Sequence, residues 1–158
     1  MSVTNNIFLL ADRYVDELAA LQPMLATQMG VPGFDGQWGT QDPSGWQDIG
    51  ALFKRTLSAI EALPPSELHR EQFGRRVLKD HLSGRLDRIE HDHPLQDLNN
   101  IASPVQGFRE TFDLMPKVGA DDWELIASRL SSLHEAVAGY IESLCEGRRR
   151  GLVVARRQ

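Results

Sequence analysis

The sequence has a single cysteine, Cys145, and no apolar run that approaches the length of a membrane span. One cysteine cannot form an internal disulfide, and a spanning helix needs about 20 apolar residues. The first residues also lack the basic segment and the long apolar segment of a signal peptide. These absences predict a cytoplasmic, soluble protein with no membrane partner.

Motifs that name a reaction are also missing. The sequence contains no phosphate-binding loop, no dinucleotide-binding glycine pattern and no nucleophile elbow. From the residues alone we therefore assign no catalytic residue and no cofactor-binding residue, and we expect no enzymatic activity from this chain by itself.

Length and charge limit the fold and the partners. A chain of 158 residues, 41% of them hydrophobic, predicts a single domain with a proper core. Net charge is −5, but residues 147–158 hold five arginines and no acidic residue, so the preceding part carries −10. Such an acidic body disfavours nucleic-acid binding. The run Arg148–Arg150 is better explained by the helix dipole or by intramolecular contacts.

The first apolar pattern predicts a helix from about Asn5 to Met29, interrupted at Pro23, which is expected to kink its last turn. The next stretch, "GVPGFDGQWGTQDPSGW" at residues 30–46, is rich in glycine and proline and is predicted to be a loop. Its aromatic residues are Phe34, Trp38 and Trp46. We expect them to anchor the loop by packing inward; the alternative is that they line a ligand cleft.

Two further helices are predicted on either side of "LPPSEL". The earlier one starts either at Ser44, by a capping box with Gln47, or at Asp42 followed by Pro43. The later one has Ser66 as its N-cap. Its apolar stripe is Phe73, Val77, Leu78, Leu82, Leu86 and Ile89.

A short helix is predicted around Val105–Met115, with Ser103 as its cap and Pro104 at its first position. The last helix begins near Asp121. Its apolar residues recur at threes and fours, which is typical of a bundle seam: Trp123, Ile126, Leu130, Leu133, Val137, Tyr140, Ile141 and Leu144. No stretch alternates with period two. The predicted fold is all-α, an antiparallel bundle of four long helices plus one short helix.

One metal-site hypothesis concerns His134 and Glu135, which have the order that opens a zinc-protease helix. That motif needs a second histidine four residues after the first, so that both imidazoles reach one zinc ion. Position 138 is Ala138. We therefore interpret the pair as ordinary helical residues.

A second metal-site hypothesis concerns "EHDHP", residues 90–94, with Glu90, His91, Asp92 and His93. Di-iron bundles need two Glu-x-x-His pairs on different helices, and this sequence has one. Pro94 also places the cluster at a helix end, where neighbouring side chains point in different directions. We assign no metal ligands in this chain.

Three stretches resemble a known family. They are "PMLATQMGVPGFD", "LNNIASPVQGFRETFDLMP" and "ASRLSSLHEAVAGYIESLCEGRRRGLVVARRQ". In order and spacing they resemble the N-terminal region of the bacterial family known as domain of unknown function 885. The resemblance extends over essentially the whole chain and is strongest from Leu98 onward.

Members of that family are longer, mainly helical and similar to zincin-type metallopeptidases. Their zinc motif, His-Glu followed by a Gly-His pair, lies far beyond any residue of this sequence. The resemblance thus implies that residues 1–158 are a single helical domain at the N-terminus of a longer protein, with zinc only in the part that is missing. No metal ligand carries over, because no position here matches that motif.

Two functions remain open at this point. In the first, the domain is a non-catalytic scaffold and substrate-cleft wall of a metallopeptidase-like protein, using the loop 30–45 and the region around Arg109. In the second, it is a free-standing helical binding module. The expected partner is the remainder of the polypeptide or a second copy in a homodimer, because the last helix has more apolar positions than one seam needs.

Overall fold

In a computed structural model, the chain is described from residue 6 to residue 154. This part is all-α and has no strand, as the sequence predicts. Among residues 6–154, no helix is both long and apolar enough to cross a bilayer. The α-helices are α1 (Ile7–Leu21), α2 (Pro23–Met29), α3 (Pro43–Ala62), α4 (His69–Glu90), α5 (Pro104–Leu114), α6 (Ala120–Ser131) and α7 (Leu133–Arg149), with a 3-10 helix at His93–Leu95.

The first predicted helix is in fact two helices. Asn5, its predicted start, lies outside the described residues, and α1 begins at Ile7 with the Asn6 side chain accepting from the Phe8 and Leu9 amides. The chain leaves helical geometry at Gln22, and Pro23 starts α2. A proline has no amide hydrogen, so it ends one helix and suits the first position of the next.

The structure shows where α3 and α4 begin. Asp42 caps α3 by accepting from the Gly45 amide at 2.9 Å, so the Asp42–Pro43 start is right and the loop ends at residue 42. The predicted Ser66 cap is wrong, because α4 begins at His69. Ser66 instead accepts from the Leu68 amide and stabilises the turn before the helix.

The short helix is confirmed as α5, with Ser103 before its first residue, Pro104. The last predicted helix is wrong as a single element, because it breaks at Ser132 between α6 and α7. At that turn the Arg129 carbonyl accepts from the Trp38 indole at 2.8 Å and from the Ser132 hydroxyl at 3.2 Å. Side chains inserted at a backbone carbonyl interrupt a helix in this way.

Two apolar clusters form the core. The first joins α1, α3 and α4. Its buried residues are Ile7, Leu10, Tyr14, Leu18, Ile49, Leu52, Phe53, Ile60, Leu63 and Leu82. The second lies between three parts of the chain: the loop that follows α2, helix α5 and helix α7. Its buried residues are Trp38, Phe108, Ala136 and Tyr140. The arrangement differs from the predicted bundle of four long helices plus one, because the five predicted elements become seven.

The predicted seam of the last helix is only partly correct: Tyr140 is buried, and Leu133, Val137 and Leu144 pack half-buried against the second cluster. Trp123, Leu130 and Ile141 are exposed, Leu130 by 57%. Instead α7 buries small residues that allow close approach: Ser143 donates to the Gln41 carbonyl at 2.7 Å. Any side chain at Gly147 would overlap the Leu95 carbonyl. Close backbone contacts on this face of α7 therefore add to the apolar packing of the second cluster.

The predicted stripe of α4 is only half correct. Leu82 is completely buried, and Leu78, Leu86 and Ile89 are half-buried around it. Phe73 and Val77 are exposed, Phe73 by 62%. Both precede Leu78, in the first three turns of α4. Burial along this helix is therefore concentrated in its later turns.

Candidate functional site

The His134–Glu135 pair lies on the surface of α7. His134 is exposed, and its ring Nδ1 is 3.0 Å from the Ser131 carbonyl. Glu135 is exposed beside the loop that follows α2. Among residues 6–154, no three His, Cys, Asp or Glu side chains come close enough to hold a metal ion. The structure therefore does not bring this pair together with further ligand-type residues.

The "EHDHP" residues point to separate partners. Glu90 pairs with Lys54 at 2.8 Å, and Asp92 pairs with Arg150 at 2.9 Å. The His91 ring lies 2.8 Å from the Asp87 carbonyl and 3.2 Å from its carboxylate, which together raise the pKa of His91. His93 contacts Arg88. As predicted for a helix end, the side chains do not converge.

The arginine run makes intramolecular contacts. Arg150 bonds to Glu146 at 2.6 Å as well as to Asp92, and Arg149 also pairs with Glu146. These cations hold the pKa of Glu146 below its usual value. Arg150 thereby connects the end of α7 to the turn after α4, which confirms an intramolecular role for this part of the run.

The loop after α2 is fixed by Trp38. Its ring is buried between Phe108 and Phe112 of α5, each edge-on with ring centroids 5.4 Å apart. Phe34 is half-buried, and Trp46 belongs to α3 and not to the loop. The predicted anchoring role is confirmed for Trp38, which gains both apolar burial and favourable ring geometry.

A buried arginine completes this anchor. Arg129 is 0% exposed; its guanidinium donates to the Thr27 hydroxyl at 2.8 Å and to the Gln37 carbonyl at 2.6 Å. It also lies over the Trp38 ring, 4.8 Å from the centroid, and 4.0 Å from an Asp35 oxygen. Burial lowers the pKa of Arg129, and Asp35 partly offsets that effect. The contacts lock the loop to α6.

Two open grooves lie along α7, one beside the loop and one beside α5. One, of about 450 Å³, lies between the loop and α7 and is lined by Thr40, Asp42 and Glu135 among others. The other, of about 360 Å³, is apolar and lies between α5 and α7, with Arg109 and Phe112 on its wall. The Arg109 side chain is 81% exposed and pairs with Asp113 at 3.5 Å. The loop packs on α5 through Trp38, but Arg109 lines a separate groove that no loop residue lines.

A third concave site, which we call the basic pocket, has about 420 Å³ between α3, α4 and the 3-10 helix. Its apolar wall consists of Trp46, Ile49, Phe53, Ile89 and Pro94. Its charged and titratable side chains are His81, Arg85, Arg88, His93 and Asp97. The Arg85 guanidinium lies 5.7 Å from the Phe53 ring centroid, and Arg88 Nη2 is 2.9 Å from His93 Nε2.

The basic pocket and Arg129 were both missed by sequence reasoning. For the pocket a signal exists: His81, Arg85 and Arg88 are spaced i, i+4 and i+7, so they share one face of a helix. For Arg129 we find no local signal. An arginine inside a charged, amphipathic helix is usually solvated, and only the packing of a loop 90 residues away in sequence makes it buried.

Comparison with protein families matches residues 23–158 to the family described as bacterial proteins of unknown function, DUF885. The match covers most of the chain. This protein belongs to the DUF885 family. A comparison with curated proteins finds no match. The family assignment confirms the resemblance drawn from the three stretches, and the matched region includes the loop, Arg129 and the basic pocket of this DUF885 chain.

Proposed function

We propose that this DUF885 chain is a non-catalytic helical scaffold that forms one wall of a substrate cleft in a cytoplasmic zinc metallopeptidase-like protein. The observation that carries the proposal is the lock between loop and helices. Trp38 is packed on α5, and Arg129 binds the loop carbonyl of Gln37. A long loop that is fixed at its centre presents a preorganised surface, which is what a cleft wall requires.

The position of Arg109 supports the same proposal. It stands at the open edge of the apolar groove between α5 and α7. The lining of this groove is mostly apolar, and the exposed Arg109 guanidinium is its one charged group. Apolar grooves with a few polar groups at the rim are the usual form of peptide-binding and ligand-binding sites. In the proposed cleft, the groove takes an apolar side chain of the substrate, and Arg109 takes a nearby acidic group.

The gene beyond codon 158 provides the first test. A reading frame that continues into a His-Glu motif with a later Gly-His pair supports the proposal, and its product is expected to contain one zinc ion and to cleave peptides. A stop codon directly after Gln158 contradicts it.

In residues 1–158 themselves we expect no tightly bound zinc, so elemental analysis after dialysis should find none. Bound zinc that disappears in His134→Ala or His91→Ala would overturn that expectation.

The second test applies to the longer product. Arg109→Glu should raise KM for peptides and leave kcat nearly unchanged, because a wall residue acts on binding and not on the reacting bond. Arg76→Glu is the matched control, since Arg76 is an exposed arginine on α4, outside the grooves described above. Equal effects from the two substitutions would contradict a cleft role for Arg109.

A binding module without peptidase chemistry is the second candidate. It is favoured by the large apolar side chains that α6 and α7 leave exposed, among them Trp123, Leu125, Leu130 and Ile141. Exposed apolar surface often marks a contact with another chain or with another part of the same chain. Peptide binding by residues 1–158 in a gene that ends at codon 158 would favour this candidate.

A further inference from the structure

The basic pocket contains two arginines without a carboxylate partner. Within residues 6–154, no Asp or Glu oxygen lies within 4 Å of Arg85 or Arg88 in an ion pair. The acidic residues of the same segment are engaged elsewhere: Asp87 with His91, Glu90 with Lys54 and Asp92 with Arg150. Arg55, Arg109, Arg129, Arg149 and Arg150 do face carboxylates.

Arg88 has an unusual neighbour. Its Nη2 lies 2.9 Å from His93 Nε2 and 3.3 Å from His93 Nδ1, so the guanidinium lies against the face of the imidazole ring. Arg85 is held over Phe53, and His81 stands one helical turn before it. Partial burial of the His81 ring and the nearby Arg85 charge both lower the pKa of His81. The pocket thus concentrates donors and positive charge around one open space.

Charge and shape together indicate the ligand class. The two arginines and the one carboxylate of the lining, Arg85, Arg88 and Asp97, sum to +1, which suits a monoanion better than a dianionic phosphate. The accessible apolar part of the lining is formed by the half-buried residues Trp46, Ile89 and Pro94. A volume of about 420 Å³ admits a ligand the size of one or two amino-acid residues.

We infer that the basic pocket binds a small organic carboxylate with an apolar body, the carboxylate between Arg85 and Arg88 and the apolar body against Trp46 and Ile89. Guanidinium groups match a carboxylate with paired, charge-assisted hydrogen bonds. The free C-terminus of a peptide and a free carboxylic acid share this chemistry. The inference does not depend on the proposed cleft wall, because the pocket lies between α3 and α4 and involves neither the loop nor Arg109.

The experiment is a titration of the 15N-labelled chain at pH 7, followed by NMR. N-acetylphenylalanine should shift the amide signals of residues around Arg85, Arg88 and Trp46. N-acetylphenylalaninamide, which has the same apolar body without the charge, should bind at least about tenfold more weakly, since it lacks the charge-assisted bonds. Equal binding of the acid and the amide would overturn the inference.

Variants locate the site. Arg85→Gln with Arg88→Gln should weaken acid binding by about tenfold or more. Arg76→Gln, on the same helix outside the pocket, should leave it unchanged. Arg88→Gln alone is the safeguard against loss of folding, because Arg88 is exposed and does not stack on the core. Undiminished acid binding by a folded Arg88→Gln protein, or equal loss with Arg76→Gln, would refute the assignment.

Further probes separate the sources of the ligand. Inorganic phosphate that shifts the same signals more strongly than N-acetylphenylalanine would overturn the carboxylate assignment. A blocked tripeptide with a free C-terminal phenylalanine and 3-phenylpropionate then distinguish the two carboxylate sources. Tighter binding of the tripeptide supports a peptide C-terminus, and tighter binding of 3-phenylpropionate supports a free acid. Failure of all carboxylates to bind at millimolar concentration would refute the pocket inference and leave the proposed cleft wall unaffected.

Discussion

At the scale of single residues, Arg129 is the clearest determinant of local structure. It fills a site with no solvent access and donates to two groups of the loop and its preceding helix, Gln37 and Thr27. Its Nε has no hydrogen-bond partner among the described residues. The side chain is retained although burial of a charge is costly, because its removal would leave the Gln37 carbonyl without this donor and the Asp35 carboxylate without a nearby positive charge.

We predict that Arg129→Ala lowers the free energy of unfolding by roughly 3 kcal/mol, from lost charge-assisted hydrogen bonds and the lost contact with Trp38. Arg129→Lys should recover only part of that loss, because an ammonium cannot reproduce the planar fork. Arg109→Ala, an exposed arginine, should change the value by less than about 0.5 kcal/mol. Urea denaturation measures all three, and similar losses for Arg129→Ala and Arg109→Ala would contradict the buried anchor.

The pKa values of two histidines, one in α4 and one directly after it, should lie on opposite sides of the ordinary histidine value of about 6.5. The pKa of His81 is lowered by partial burial and by Arg85, whereas that of His91 is raised by the Asp87 carbonyl and carboxylate. His81 therefore contributes stability above its unfolded pKa, which is lost as pH falls through its folded pKa. His91 contributes stability below its unfolded pKa, which is lost as pH rises through its folded pKa.

NMR titration of the histidine ring protons tests this order. His81→Gln and His91→Gln assign the two signals, and His91 is expected to have the higher pKa. In Asp87→Asn the pKa of His91 should fall, because the carboxylate that stabilises the imidazolium is gone. A pKa of His81 at or above that of His91 would show that the environments around α4 differ from those described.

At the scale of elements, the packing of α4 and α6 separates two leucines that the apolar pattern treats alike. Leu82 is completely buried in the cluster of α1, α3 and α4, while Leu130 of α6 is 57% exposed. If Leu130 were buried in a seam, as the apolar pattern predicts, a charge there should unfold the domain. The exposure of Leu130 removes the physical reason for that expectation, because an exposed side chain can present a charge to water.

We predict that Leu82→Ala lowers the free energy of unfolding by about 2–4 kcal/mol, since it leaves a cavity in the first core cluster. Leu130→Ala should change it by less than about 0.5 kcal/mol, and Leu130→Asp should fold. Thermal and chemical unfolding of the matched pair decides the question. A large loss with Leu130→Ala and a small one with Leu82→Ala would mean that the last helices pack through the predicted seam.

At the scale of the whole molecule, the two core clusters leave apolar side chains on the surface of α6 and α7. We predict that the chain self-associates at high concentration, because burial of exposed apolar area is worth about 25 cal/mol per Å², less the entropy lost on association. Light scattering over a concentration series should show the average mass rising. Trp123→Ser with Leu130→Ser should reduce that rise, with Asp12→Ser as a control on exposed polar surface.

The opposite result is equally informative. A chain that stays monomeric at all concentrations and binds no hydrophobic dye would contradict association through α6 and α7. Dye binding without association would instead locate the surface that another chain or another segment covers.

Composition and periodicity by themselves determined that the protein is helical, and local capping determined several element starts. Pro104 after Ser103 acts within one turn, so its effect is readable from the sequence, whereas Pro43 after Asp42 was one of two starts that the sequence left open. The absence of a second histidine at position 138, where the sequence has Ala138, is likewise a local fact. So are the different directions in which the side chains of Glu90–His93 point. The three stretches shared with the family also needed no coordinates.

Only the tertiary structure decided which face of each helix is buried and where the concave sites lie. Arg129 and Leu130 are neighbours in sequence, yet the arginine is buried and the leucine exposed, because a distant loop supplies hydrogen bonds to the guanidinium. The basic pocket likewise needs α3 to place Trp46 and Phe53 opposite Arg85 and Arg88. Contacts between residues far apart in sequence depend on packing that local propensity and periodicity do not specify.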